Sequence, residues 1–307
     1  MPAKESQYLK SLLSHPLREQ LVRRIFDSWQ LPPESRGLDL GCGPGLYTMM
    51  LAEMLGHSAH ITGLDANGEF LAQARWLAGQ TGMTNRVAFE ESHARRLPFG
   101  DKSFDWAFSM DCLGSIPEDP VVLLSELARV VKPGGLIAVM IWSSQVLLPG
   151  YPLLEAKLNA TAAGIAPYSL TMKPERHIMC GLDWFAQSGL QPARAQTFVQ
   201  DVCAPLRPEI KTALIDLFSM RWGNPEAELS PIDWRDYQRL CSAESPDLIL
   251  DTPNITHFSL IPPSRDGCIY RAIFRADLNE RILTRTFPVV FRGKLFKLRL
   301  LSGRLSF

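Results

Sequence analysis

The sequence predicts an α/β protein, with a mostly parallel sheet and helices on both faces. Three observations carry this reading. Strand-like apolar runs alternate with stretches of helical periodicity between Leu38 and Trp142. The first run ends in the stretch Leu38 to Tyr47, LDLGCGPGLY, where glycine falls at alternate positions 41, 43 and 45. The second run, His60 to Asp65, ends in an acid twenty residues past Gly45.

Taken in order, residues 8 to 29 come first. They place Leu9, Leu12, Leu13, Leu17, Leu21, Val22, Ile25, Phe26 and Trp29 at mostly three- and four-residue intervals. This spacing predicts an amphipathic helix, or two broken near Pro16. Such a helix either packs over the sheet or serves as a lid. Leu31-Pro32-Pro33 stops it before the first strand.

The glycine stretch then reads as strand, tight turn, helix. Glycine admits dihedrals closed to other residues and leaves room for a ligand to approach the backbone. The helix start beyond it offers unpaired N–H groups. The spacing is not that of the dinucleotide turn, because Leu46 occupies that pattern's third glycine position. Asp65 has two readings. Its carboxylate can accept the two hydroxyls of a ribose, or it can cap the helix carrying Phe70, Leu71, Ala74 and Leu77.

Val87 to Ser92 reads as a third strand and Ser103 to Met110 as a fourth. Glu118 to Val131 reads as a helix, Lys132-Pro133-Gly134-Gly135 as a turn, and Leu136 to Trp142 as a fifth strand. A short helix follows over 183–190, then a sixth strand over Ala193 to Val202. Helices are expected around Ile210 to Trp222 and Trp234 to Cys241, and a seventh strand over Cys268 to Ala276.

Composition narrows the class. The chain has 307 residues and is 46% hydrophobic, enough for a sizeable core. Lys+Arg and Asp+Glu each number 32, a balance that does not suggest a nucleic-acid binder. The six cysteines form no C-x-x-C pair, and the start MPAKESQYLK has no apolar signal core. They are expected as reduced thiols in a cytoplasmic protein, with no membrane span. No Cys/His or acidic set has metal-ligand spacing, so no metal is expected.

Four blocks occur in order: LDLGCGPG, GLDA, LPFGDKSFDWAF and ELARVVKPGGLIAV, over residues 38 to 141. Together they resemble the successive motifs of the class I S-adenosylmethionine (SAM)-dependent methyltransferases. The likeness is greatest to the small-molecule branch that methylates quinones and tocopherols. The resemblance implies a Rossmann-like, seven-stranded, mostly parallel sheet with a helical substrate cap. It implies SAM as cofactor and a small, largely apolar acceptor. The alternatives on the same fold are a non-catalytic SAM-binding or interaction module, and a SAM-bound enzyme of another reaction type. Nucleic-acid enzymes that methylate amino groups usually carry an Asn/Asp/Ser-Pro-Pro-aromatic motif after strand four; here the residues are Ser109-Met110-Asp111-Cys112.

Carried over residue by residue, Asp39, Gly41, Cys42, Gly43 and Gly45 would pack under the methionine part of SAM. Asp65 would hold the ribose and Ala66 would pack on the adenine. Relatives commonly have Asp-Ala after strand three, and this chain has His93-Ala94. A neutral imidazole offers one acceptor nitrogen there and a protonated one offers only donors, so His93 is either an adenine contact or a loop histidine. Met110 would touch the cofactor. Asp111 is the candidate general base by position, or else a strand-end cap or turn residue.

The resemblance implies a domain over residues 1–280, with cap insertions at about 143–182 and 205–262. Tyr168, Met172, Met179, Phe218, Met220 and Trp222 are divided between an acceptor pocket and the insertions' own core. The remaining stretch, 281–307, holds seven Lys/Arg and no Asp or Glu. Residues 1–280 therefore keep 25 basic against 32 acidic groups. Nine of the fifteen residues from Phe287 to Leu301 are Phe, Val or Leu, and Phe296 to Leu300 alternates with period two. This stretch docks on the acidic body, lies on an anionic membrane, or adds a strand to a partner. The sequence sets no oligomeric state.

Overall fold

The computed structural model describes residues 2–93, 96–113, 119–141, 145–165, 174–252, 257–259, 273–277, 286–291, 294–301 and 304–306, with side-chain surroundings within residues 15–252. Helix α1 (Pro2–Ser28) runs unbroken through Pro16. Of the two alternatives, one helix or two, it is the single helix that forms. A proline removes only one N–H from the helix ladder, and the turns after it are anchored, since Leu17, Leu21, Val22, Ile25, Phe26 and Trp29 are all buried.

The central sheet alternates with helices as the sequence predicts. Its first elements are β1 (Arg36–Leu40), α2 (Leu46–Leu55), β2 (His60–Asp65), α3 (Gly68–Gln80) and β3 (Val87–Glu91). Next come β4 (Phe104–Met110), α4 (Pro120–Val130) and β5 (Val131–Met140). The last follows α4 directly and starts five residues earlier than expected, because Val131 already pairs with Phe104. β3, β2, β1, β4 and β5 pair in that spatial order, all parallel. Strand order reverses between β1 and β4. Open α/β sheets bind ligands at such a switch point, outside the carboxyl ends of the strands.

Beyond β5 the helices are α5 (Pro152–Asn159), α6 (Ala162–Ile165), α7 (Gly181–Gln187), α8 (Pro208–Trp222) and α9 (Pro231–Cys241). The expected sixth strand divides into β6 (Ala193–Gln196) and β7 (Asp201–Cys203). β7 leaves the central sheet to pair with β8 (His257–Ser259). β9 (Ile273–Asp277) lies antiparallel between β5 and β6. The start of the expected seventh strand, residues 268–272, lies outside the described residues. Three further strands, β10 (Thr286–Phe291), β11 (Lys294–Leu301) and β12 (Arg304–Ser306), form an antiparallel sheet of their own. Among the described residues, no helix is long and apolar enough to cross a membrane.

Strand alternation builds two cores. On one face, Trp106 and Phe108 of β4 pack with Phe26, Trp29 and residues of α2 and α3. On the other, Ala107, Ile137 and Val139 meet Leu123, Leu124 and Leu127 of α4 and Phe185 of α7. A third core lies among α5, α8 and α9 and takes in Leu17 of α1. Phe218 and Trp222 are fully buried there, stacked with ring centroids 6.0 Å apart, and Met220 is partly buried against them. Met179 is exposed, while Tyr168 and Met172 lie outside the described residues.

Candidate cofactor site

The turn between β1 and α2 is held from below. The N–H groups of Gly41 and Cys42 both donate to the Leu64 carbonyl, at 2.8 and 3.1 Å. Gly45 and Gly43 both have positive φ, 76° and 53°. Their surroundings differ. A Cβ on Gly45 would meet the Phe89 ring at 2.7 Å and Ala74 at 2.9 Å, so packing excludes it. A Cβ on Gly43 would have nothing within 4 Å. The backbone there faces open space, as it must if a ligand lies against it.

Asp65 reaches into this turn from β2. Its Oδ2 accepts the Gly43 N–H at 2.8 Å and its Oδ1 accepts the Asn67 N–H at 2.9 Å. The capping reading of Asp65 fails for α3, because Asn67 is the N-cap and accepts from Glu69 at 3.0 Å. Asp65 instead ties the glycine turn to the end of β2, and its carboxylate is only partly buried.

Asp39 lies beneath. It is buried, and Thr48 Oγ1 donates to its Oδ2 at 2.6 Å. Burial pushes its carboxyl up to about 7; the Thr48 bond opposes this and Asp65 adds to it. Cys42 is buried too, and burial raises its thiol far above the ordinary range, so it serves as a neutral packing group.

The other side of the switch point carries Asp111. It follows β4 with φ 54°, and its N–H donates to the Met140 carbonyl at 2.9 Å. Its Oδ2 lies 3.0 Å from Arg18 Nη1 of α1. Burial works against the Arg18 charge, but Asp111 and then Tyr47 outweigh it and raise its pKa. Tyr47 stands in the first turn of α2, and the His15 ring lies 5.9 Å from the Tyr47 ring. Burial lowers the His15 pKa. Its Nδ1 is buried with no hydrogen-bond partner among the described residues.

The structure thus gathers Asp39, Gly41, Cys42, Gly43, Gly45 and Asp65 around one turn, with Asp111 across the switch point. Met110 is half-buried against the first core. Ala66 and His93 are exposed, and Ala94 lies outside the described residues. His177, solvent-facing and distant in sequence from these residues, accepts the Met179 N–H at 3.2 Å. Sequence reasoning missed Arg18, His15 and Tyr47. The only available signal was the three-residue spacing of His15 and Arg18, which puts both on one side of a helix.

Residues 38–135 match a family model described as a methyltransferase domain. Over these residues the chain is similar to a methyltransferase domain. The methyltransferase phqN of Penicillium fellutanum is 35% identical over 124 residues, covering 39% of this chain and 37% of that protein. A demethylmenaquinone methyltransferase of Listeria welshimeri is 32% identical over 143 residues, 47% of this chain and 59% of that one. A second, from Staphylococcus aureus, is 29% identical over 154 residues, 50% and 62%. The chain therefore spans less than two thirds of the length of these curated relatives. Among solved structures, a Methanococcus maripaludis protein assigned to the SAM-dependent methyltransferases aligns with TM-score 0.50 at 14% identity. It covers 64% of this chain and 88% of its own, a likeness of fold. The open backbone at Gly43 and the acids on either side of it fit SAM, which carries ribose hydroxyls to be accepted and positive charge to be balanced.

Proposed function

We propose that the protein transfers the methyl group of SAM to a small, largely apolar acceptor. The observation that carries this is the open backbone at Gly43, flanked by Asp65 and Asp39 at the switch point of a methyltransferase domain. SAM supplies a methyl group already activated on a positive sulfur, so the protein's task is mainly positioning. Asp65, fixed by two backbone N–H groups, presents its remaining acceptor capacity to the ribose. Ala66 and His93 flank the adenine. Asp39, beneath the turn, supplies negative charge on the methionine side when ionised. Met110 and Asp111 face the transfer from the end of β4. Asp111 already receives an Arg18 proton donor, which favours a positioning role for it over that of general base.

The third core supports a cap. α5, α6, α8 and α9 fall within the expected insertions, 143–182 and 205–262, of a domain over 1–280. The demethylmenaquinone methyltransferases among the relatives favour a small acceptor with an apolar body. Cys42 and Cys241 are buried, and a cytoplasmic setting would keep such thiols reduced.

The test is mass spectrometry of a cell extract incubated with the protein and methyl-labelled SAM. A labelled, solvent-extractable small molecule with release of S-adenosylhomocysteine is expected. SAM binding without that release would favour the non-catalytic or non-transferring alternatives.

A further inference from the structure

We propose, on the reading of this site as one for SAM, that Arg129 and Glu126 are positioning residues for its adenine end, acting through His93 without touching the ligand. Both stand on α4 at i,i+3 spacing, which puts them on one side of the helix. The loop they hold leaves the carboxyl end of β3, the edge of the sheet where the glycine turn and Asp65 lie.

Every N–H donor of the Arg129 guanidinium is used. Nε and Nη2 donate to the two Glu126 oxygens, at 2.9 and 2.8 Å. Nη1 donates to the Phe99 carbonyl at 2.8 Å and to Asp101 Oδ1 at 3.0 Å. Nη2 also donates to the Leu97 carbonyl at 3.2 Å. Glu126 Oε2 accepts the Leu97 N–H at 3.0 Å. Both backbone groups of Leu97 are thus bonded to the pair, as they would be to a neighbouring strand. An ion pair serving α4 alone would need none of the bonds to Leu97 and Phe99. Apolar packing fixes the same stretch: Leu97 is buried in the second core, and Phe99 meets Phe104 edge-on with ring centroids 4.9 Å apart.

The loop's other anchor is at the site. The Ser92 N–H donates to the Asp65 carbonyl at 3.1 Å. Only residues 93–96 separate this anchor from Leu97, and His93 directly follows Ser92. Fixing both ends of so short a span narrows where His93 can lie. A group held in place before binding costs the ligand less to engage. The pair on α4 therefore sets, from outside the site, where the imidazole meets the adenine.

Calorimetry of the full chain with S-adenosylhomocysteine tests this in a cycle of Arg129→Met and His93→Ala. Arg129→Met is expected to weaken binding about tenfold in the wild-type background and less than about twofold once residue 93 is alanine, because members of one network are not additive. Glu126→Gln is milder, keeps an acceptor for the Leu97 N–H, and carries the same cycle if circular dichroism shows that Arg129→Met does not fold. Melting temperatures should fall alike in both backgrounds, since the bonds to Leu97 and Phe99 do not involve His93. An equal loss of affinity in both backgrounds overturns the proposal, for the pair is then only structural. So does an Arg129→Met protein that binds undiminished. Wild-type protein that fails to bind S-adenosylhomocysteine overturns the SAM reading together with the proposal, whereas normal wild-type binding with additive losses overturns the proposal alone.

Discussion

Arg18 Nη1 and Asp111 Oδ2 lie 3.0 Å apart and join residues 93 positions distant in the chain. The pair connects α1 to the carboxyl end of β4. The Arg18 side chain is 19% exposed and that of Asp111 35%, so water screens the pair only in part.

A double-mutant cycle with Arg18→Met and Asp111→Asn should therefore show a coupling of about 1 kcal/mol in urea unfolding. That lies between an exposed ion pair and a buried charged hydrogen bond. Additive effects would mean that the pair contributes nothing to holding α1 over the site.

Asp65→Ala should weaken SAM binding by roughly 1–3 kcal/mol, through loss of a charged acceptor and of the bond that fixes Gly43. Asn67→Ala removes the N-cap of α3 and should lower stability by about 1 kcal/mol while leaving SAM affinity nearly unchanged. Calorimetry and thermal melts on the two variants separate the roles. Equal affinities for both would show that Asp65 has no contact with the cofactor.

Gly43→Ala offers a sharper separation. The added Cβ meets no protein atom, so the cost to folding should be only the left-handed strain, roughly 1–2 kcal/mol. If SAM lies against this backbone, affinity should fall at least tenfold, equivalent to about 1.4 kcal/mol. Gly45→Ala, which strikes Phe89 and Ala74, should instead damage stability first. A Gly43→Ala protein that binds SAM normally would move the cofactor elsewhere.

Asp39 links stability to pH. Its folded carboxyl, at about 7, lies above the ordinary value of 3.8, so the folded chain holds a proton that the unfolded chain has released. The resulting stabilisation is complete below 3.8 and is lost as pH rises through 7. Between pH 5 and 7 the wild type should lose on the order of 1–3 kcal/mol relative to Asp39→Asn, at about 1.4 kcal/mol per pH unit for one group. Urea melts across this range check it; parallel pH profiles would show that Asp39 is ionised throughout.

The legible part of the fold and site was the local part. The glycine turn, the acid closing β2 and the alternation of strands with helices follow from short stretches whose patterns depend on near neighbours. Pro16 left one helix or two open, because a helix break is a local tendency that burial of Leu21, Ile25 and Phe26 can override. Asp65 and Asn67 are both favoured caps two residues apart, and only the hydrogen bonds assign the cap to Asn67. The Arg18–Asp111 pair was illegible, since nothing in sequence spacing relates a helix near the start to the end of the fourth strand. Phe218 and Trp222 have the side chains of a pocket and also of a core; their mutual stacking places them in the core.

That third core is largely self-contained. Its members come from α5, α8, α9 and their flanks, and among the described side chains Leu17 joins it from α1. The two cores that hold the glycine turn and β2 share no buried residue with it. Substitutions that remodel the interior around Phe218 and Trp222 can therefore accumulate over evolutionary time without disturbing the glycine turn and β2. Under the proposed function, one lineage could change its acceptor while keeping its methyl donor, and a grafted replacement for this subassembly would have to keep its seat against α1, where Leu17 is buried.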